Sequence, residues 1–145
     1  MASNEIKTLQ FNQGVELDNP PVILDDSGVL DLSNNVSNQT LLVATYDIAT
    51  IREIIIDYQI YRRTDTPYES IETGQIRFSA RPEQATQADK WLLKQLNKED
   101  EGIRSGITIG KSVTSGVLTT QYSSTNVAGA NHSAKFFYSI KALTL

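Results

Sequence analysis

The run Glu53-Ile-Ile-Ile-Asp-Tyr-Gln-Ile-Tyr-Arg-Arg63 constrains this chain more than any other segment. Side chains alternate across an extended strand, so Ile54, Ile56, Tyr58 and Ile60 fall on one face while Asp57, Gln59 and Tyr61 fall on the other. One face belongs to a core and the other meets water or a partner. The same alternation returns at the C-terminus, where Ala134, Phe136, Tyr138, Ile140 and Ala142 are interleaved with Lys135, Phe137, Ser139 and Lys141. Shorter versions place Ile76 with Phe78, and Leu118 with Thr120 and Tyr122. The expectation is an all-β chain, an antiparallel β-sandwich of jelly-roll type with one side of each sheet buried.

At 145 residues the chain is expected to form one folded domain. Residues 1–37 differ from the rest: Asn19-Pro20-Pro21, Asp25-Asp26-Ser27-Gly28 and Asp31-Leu-Ser-Asn-Asn35 break short apolar pairs with turn residues. They read as an extended N-terminal docking arm or a set of short edge strands, with no long strand among them. The sandwich is expected over 38–145, with strands at Thr40–Thr45, Ile51–Arg63, and Ser70–Thr73 continuing into Gln75–Ala80 around a possible bulge at Gly74. Gly110–Gly116 reads as a hairpin loop between Ile107–Ile109 and Val117–Ser123. Between Arg81 and Gly102 two readings compete. Ala85, Ala88, Trp91, Leu92 and Leu96 fit the stripe of a short helix within 84–97, whereas Lys90–Leu96 also fits a strand with Trp91 and Leu93 on one face.

The net charge of −4 disfavours nucleic acid as a partner, because such binding rests on clustered cations neutralising phosphates. Charge is unevenly spread: all 17 acidic residues lie in 1–101, and 102–145 carry only Arg104, Lys111, Lys135 and Lys141. Either the two halves complement each other within one molecule, or the acidic part of one copy lies on the basic strands of a neighbour. With no cysteine and one histidine, neither a disulfide framework nor a zinc site is expected. No stretch has the apolar length of a secretory signal or membrane span, so no membrane insertion is expected. The triplets at Asn35, Asn38 and Asn131 that match the glycosylation pattern are read as a reflection of Asn and Ser content.

No catalytic, cofactor or metal site is expected. Gly110-Lys111-Ser112 resembles the end of a phosphate-binding loop, but Ser105 stands where the first glycine belongs and a strand follows where a helix is needed. His132 sits in a Gly/Asn loop with no carboxylate or cysteine near it in sequence. The acidic groups Asp25, Asp26 and Asp31, or Glu99, Asp100 and Glu101, lack calcium-loop spacing. Glu69 with Glu72, or Glu53 with Asp57, are candidate carboxylate pairs without an evident cleft. Aromatic residues on exposed faces, Tyr46, Tyr61, Tyr68 and Phe137, pack a second sheet, form an oligomer interface or stack on sugars. Candidate interface residues are therefore Leu9, Phe11, Val22 and Leu24 in the arm, with Tyr61 and Phe137 on the sheet. The candidate ligand loop holds Asn126, Asn131 and His132.

Taken in order, Ile54-Ile-Ile-Asp-Tyr-Gln-Ile-Tyr-Arg62, Gly74-Gln-Ile-Arg-Phe78, Gly106-Ile-Thr-Ile109, Leu118-Thr-Thr-Gln-Tyr-Ser-Ser-Thr-Asn126 and Ala134-Lys-Phe-Phe-Tyr-Ser-Ile-Lys141 resemble a β-sandwich module of tailed-bacteriophage virion proteins. That module recurs at tail fibre tips and in particle appendages. The resemblance implies a non-enzymatic virion subunit: a capsid decoration protein, a head fibre, or a tail or neck accessory. Such a subunit would associate with itself as a homo-trimer and dock on other virion proteins through its arm. The alternative it implies is a carbohydrate- or receptor-binding module, such as a fibre tip, that contacts a host surface glycan.

Overall fold

The computed structural model describes residues 23–65 and 67–145. Among the described residues eight strands follow one another: β1 Ile23–Asp31, β2 Val36–Asp47, β3 Ile51–Arg63, β4 Glu69–Ala80, β5 Trp91–Gly102, β6 Ile107–Thr114, β7 Val117–Ser124 and β8 Ser133–Thr144. They form two antiparallel sheets, a five-stranded one in the order β1-β8-β3-β4-β5 and a three-stranded one in the order β2-β7-β6. The sheets pack face to face, and the chain is an all-β sandwich. The nested pairs β1–β8 and β2–β7 are those of a jelly roll. The likeness stops there, because β3, β4 and β5 run as a meander within one sheet.

Strand parity builds the core. Ile54, Ile56, Tyr58 and Ile60 of β3, Ile76 and Phe78 of β4, and Phe136, Ile140 and Ala142 of β8 all point inward. Ile107 and Ile109 of β6 and Leu118 and Tyr122 of β7 meet them from the other sheet. Each large apolar side chain removed from water this way contributes about 1.5–3 kcal/mol. Phe136 stacks between Tyr58 and Tyr138, with ring centroids 5.5 and 5.7 Å apart.

Several elements depart from the sequence reading. Residues 23–37 contain a long strand, since β1 runs for nine residues along the edge of the five-stranded sheet. Its order comes from β8, whose backbone it pairs along its whole length. The opposite charges of the two chain halves meet in the same ladder: Asp31 pairs with Lys135 at 2.5 Å, and Asp25 lies opposite Lys141. Over 84–97 the helical element is a single 3-10 turn, Gln87–Lys90, and the strand β5 begins at Trp91. Two things favour the strand: β4 offers a ladder of backbone partners, and Trp91 is fully buried with its Nε1–H donating to the Gly116 carbonyl at 3.0 Å.

Gly74 sits in regular register opposite Tyr58 of β3, and on its other side it marks the expected bulge, since the pairing with β5 shifts between Thr73 opposite Glu99 and Gln75 opposite Leu96. A Cβ there would stand 2.9 Å from the Tyr58 phenol oxygen, so the glycine makes room for the ring. The extra residue of that bulge lies on β5, where Asn97 and Lys98 face Gly74 and Asn97 adopts φ 53°. The hairpin loop expected over 110–116 is two residues long, Ser115-Gly116, both at positive φ, because β6 continues to Thr114. Asn35, Asn38 and Asn131, the three glycosylation-type asparagines, also take positive φ, the backbone state that asparagine tolerates better than most residues.

Candidate functional site

The alternation that buries Ile60 carries on to Arg62, and the same parity on β4 brings Ser70 and Glu72 inside. Two charged side chains are thereby fully buried at one end of the sandwich, where three loops converge. Arg62 donates from Nε to His132 Nε2 at 3.0 Å and from Nη1 to the Ser105 carbonyl at 2.6 Å. Its Nη2 donates to Asn34 Oδ1 at 2.7 Å and to the Thr125 carbonyl at 2.6 Å. One guanidinium thus ties the β1–β2, β5–β6 and β7–β8 connections together. The Tyr68 ring lies 5.9 Å from the guanidinium carbon, close enough for a cation–π contact.

Ser105 links this cation to the buried carboxylate, since its hydroxyl donates to Glu72 Oε1 at 2.5 Å while its carbonyl accepts from Arg62. The Tyr58 phenol donates to Glu72 Oε2 at 2.5 Å and accepts from Gln95 Nε2 at 2.6 Å. Lys98 Nζ stands 4.0 Å from Glu72 Oε1. Burial, reinforced by Glu72, holds the Tyr58 phenol well above its ordinary pKa. Burial pulls the Arg62 guanidinium down from its ordinary value. Burial, and secondarily the Arg62 charge, pushes His132 below the ordinary imidazole value. Because His132 Nε2 accepts from Arg62, the imidazole is neutral with its proton on Nδ1. Chemically the cluster is a latch, in which donors and acceptors satisfy one another across three connections.

Above the latch lies an open depression of about 410 Å³, walled by Tyr68, Ile103, Arg104, Asn126 and Val127. The Tyr68 hydroxyl donates to the Arg104 carbonyl, which fixes the ring as one wall. A second depression of about 360 Å³ lies where β1 faces β2, with Asp25, Asp26 and Asp47 around a floor of Ile51, Ile140 and Ala142. Among the described residues no group of three acidic, His or Cys side chains is placed to hold a metal ion, and no helix is long and apolar enough to cross a membrane.

Asn126, Asn131 and His132 do come together at the latch end, but in separate roles. Asn126 lines the depression and its Oδ1 accepts from Asn34 Nδ2 at 3.3 Å. Asn131 donates to Asp65 Oδ2 at 2.7 Å, and His132 turns inward to Arg62. Tyr61 and Phe137 lie together on the outer face of the five-stranded sheet, Phe137 one step along β8 from the Lys135 that pairs with Tyr61. Leu24 lies in β1 opposite Ala142, whereas Leu9, Phe11 and Val22 fall outside the described residues. The carboxylate pairing of Glu69 with Glu72 does not form, because the two point to opposite faces of β4. Glu53 and Asp57 share the outer face of β3, where they bind Ser79 and Gln75. The site residues that sequence reasoning missed are Arg62, Ser105 and Asn34, and Glu72 was singled out only as half of a carboxylate pair; for Arg62, the signal was present in the parity of Ile54 to Ile60.

No family model matches the chain, and no curated protein matches it. Among solved structures, the chain is similar to the tailspike protein of Acinetobacter baumannii phage AM24, with a TM-score of 0.35 and 12% identity over 86% of this chain. The aligned part is 26% of the tailspike chain, so this chain spans about a quarter of that protein's length. At that score the likeness carries no argument about what the chain does.

Proposed function

We propose that this chain is a non-enzymatic structural subunit of a bacteriophage particle, a β-sandwich that associates with itself and docks on other virion proteins. The observation that carries the reading is how the molecule disposes of its polar and apolar groups. Among the described residues the buried charges, Arg62 and Glu72, are spent on tying loops together, while Val29 and Phe137 on the outer face of the five-stranded sheet are left exposed. A scaffold with a locked interior and an adhesive surface suits assembly. The order of sequence motifs, which resembles that of tailed-phage sandwich modules, supports the same reading. Because β1 belongs to the sheet, docking falls to residues 1–22 rather than to all of 1–37. Removing residues 1–22 is expected to leave a folded sandwich that no longer binds particles. Retained binding removes the docking role from that segment.

A second reading is favoured by the depression over the latch, where an aromatic ring, a guanidinium and an amide are presented together by Tyr68, Arg104 and Asn126. Such a set suits a sugar of the host surface. It predicts glycan-array binding that Tyr68→Ala and Arg104→Ala weaken together; an array silent at high protein concentration counts against it.

A further inference from the structure

We infer that two copies of this chain pair face to face through the outer surface of the five-stranded sheet, about a two-fold axis that crosses β3 between Asp57 and Gln59. The inference rests on the assembly reading above and gives it a surface, a partner and a symmetry. Apolar side chains run diagonally over four adjacent strands of that surface. Val29 of β1 lies opposite Phe137 of β8, Phe137 is diagonal to Tyr61 of β3, and Tyr61 lies opposite Ile71 of β4. Val29 is 54% and Phe137 41% exposed, and among the described residues no element lies over them.

The size of the face fits a second copy. Strands about 4.8 Å apart and roughly 3.3 Å per residue make a five-stranded sheet, nine residues deep at β1, a surface of about 700 Å². That is close to the ~800 Å² each partner gives to a stable interface. The charges of β3 and β5 are also complementary to those of a second copy. An axis lying across the strands sets each strand antiparallel over its own copy, in the aligned packing that two sheets adopt. The ladder registers then put Tyr61 over Ile55, Arg63 over Glu53 and Glu101 over Lys94 of the second molecule. Lys135 then meets Lys141 and Asp31 meets Asp25, so each lysine finds its opposite charge one strand to the side, while Val29, Phe137 and Ile71 cover Ser27, Ser139 and Arg77. The polar part of the face is already held in place by Tyr61–Glu69 at 2.5 Å, Gln75–Asp57 at 2.9 Å and Arg77–Gln75 at 3.0 Å. Little side-chain freedom remains to be lost on pairing.

Sedimentation equilibrium of the full chain, from micromolar to several hundred micromolar, tests the pairing. The expected result is a concentration-dependent dimer whose dissociation constant rises at least about tenfold in Phe137→Glu and in Lys94→Glu. The double variant Lys94→Glu with Glu101→Lys is expected to recover wild-type association, since the swap restores the opposite charges across the axis. Val43→Lys, at a site 92% exposed on the three-stranded sheet, is expected to leave the mass unchanged. Circular dichroism and urea midpoints establish that each variant is folded. A wild-type monomer across the range, or a double variant no better than Lys94→Glu, overturns the pairing. A monomer that still binds particles overturns the pairing while leaving the assembly reading standing, whereas a dimer that binds none does the reverse.

Discussion

Replacing Arg62 with methionine isolates the latch, because the new side chain fills similar space but donates nothing. Four acceptors lose their donor: the Ser105 and Thr125 carbonyls, Asn34 Oδ1 and His132 Nε2. Glu72 is left buried without the cation at the other end of the Ser105 bridge. Breaking one side of a buried charge arrangement costs about 3–5 kcal/mol, and a single unsatisfied buried acceptor about 1–3 kcal/mol. These terms do not add, since water can enter as the loops relax and Lys98 stands 4.0 Å from Glu72. The expected loss is therefore about 3–4 kcal/mol, a large share of the roughly 5–15 kcal/mol that holds a typical domain together. Urea unfolding followed by the fluorescence of Trp91, the only tryptophan and fully buried, reads it directly. At an m value of about 2 kcal/mol/M the midpoint falls by roughly 1.5–2 M. Adding Glu72→Gln to Arg62→Met removes the stranded charge and is expected to recover about 1 kcal/mol or more. A loss below about 1 kcal/mol for Arg62→Met, or a double variant weaker than the single one, refutes the reasoning.

Three further outcomes follow from the same geometry. His132 is held neutral in the fold with its pKa below the unfolded value, so its contribution is complete above about pH 6.5 and declines as pH falls through that value toward the lower folded pKa. Between pH 7.5 and 5.5 the wild type should lose more urea resistance than His132→Gln, and equal slopes contradict the assignment. Gly74→Ala brings a Cβ against Tyr58, whose phenol is pinned by Glu72 and Gln95; thermal unfolding should show a loss of about 1–3 kcal/mol, and a neutral result means that the ring has room to move. Gly116→Ala forces a side chain into φ +78° with its Cβ 2.7 Å from Ile48; it should cost at least about 1 kcal/mol by the same assay, with unchanged stability as the contrary result.

The parts of this fold legible in the sequence are those governed by a period of two. Ile54 to Ile60, Ile76 with Phe78, and Ala134 to Ala142 announced their buried faces, since a strand between a core and solvent has no other way to distribute its side chains. β1 was hidden because its order is borrowed: Asp25-Asp26-Ser27-Gly28 looks like a turn until β8 supplies the partner backbone. Trp91 left helix and strand open because short apolar runs satisfy either period, and the free edge of β4 decided between them. Arg62 and Glu72 were visible only by parity, against the strong habit of charged residues to lie outside. Their partners Ser105 and Asn34 belong to loops whose meeting depends on long-range topology that no local pattern encodes.

The central proposal, that the chain is a subunit of a phage particle, is tested most directly by quantitative mass spectrometry of phage particles density-purified from a culture that produces this chain. Peptides of this chain at a fixed copy number per particle, retained through a high-salt wash, are the result expected of a docked virion subunit. Their absence from purified particles, with the chain abundant in the lysate supernatant, would contradict it.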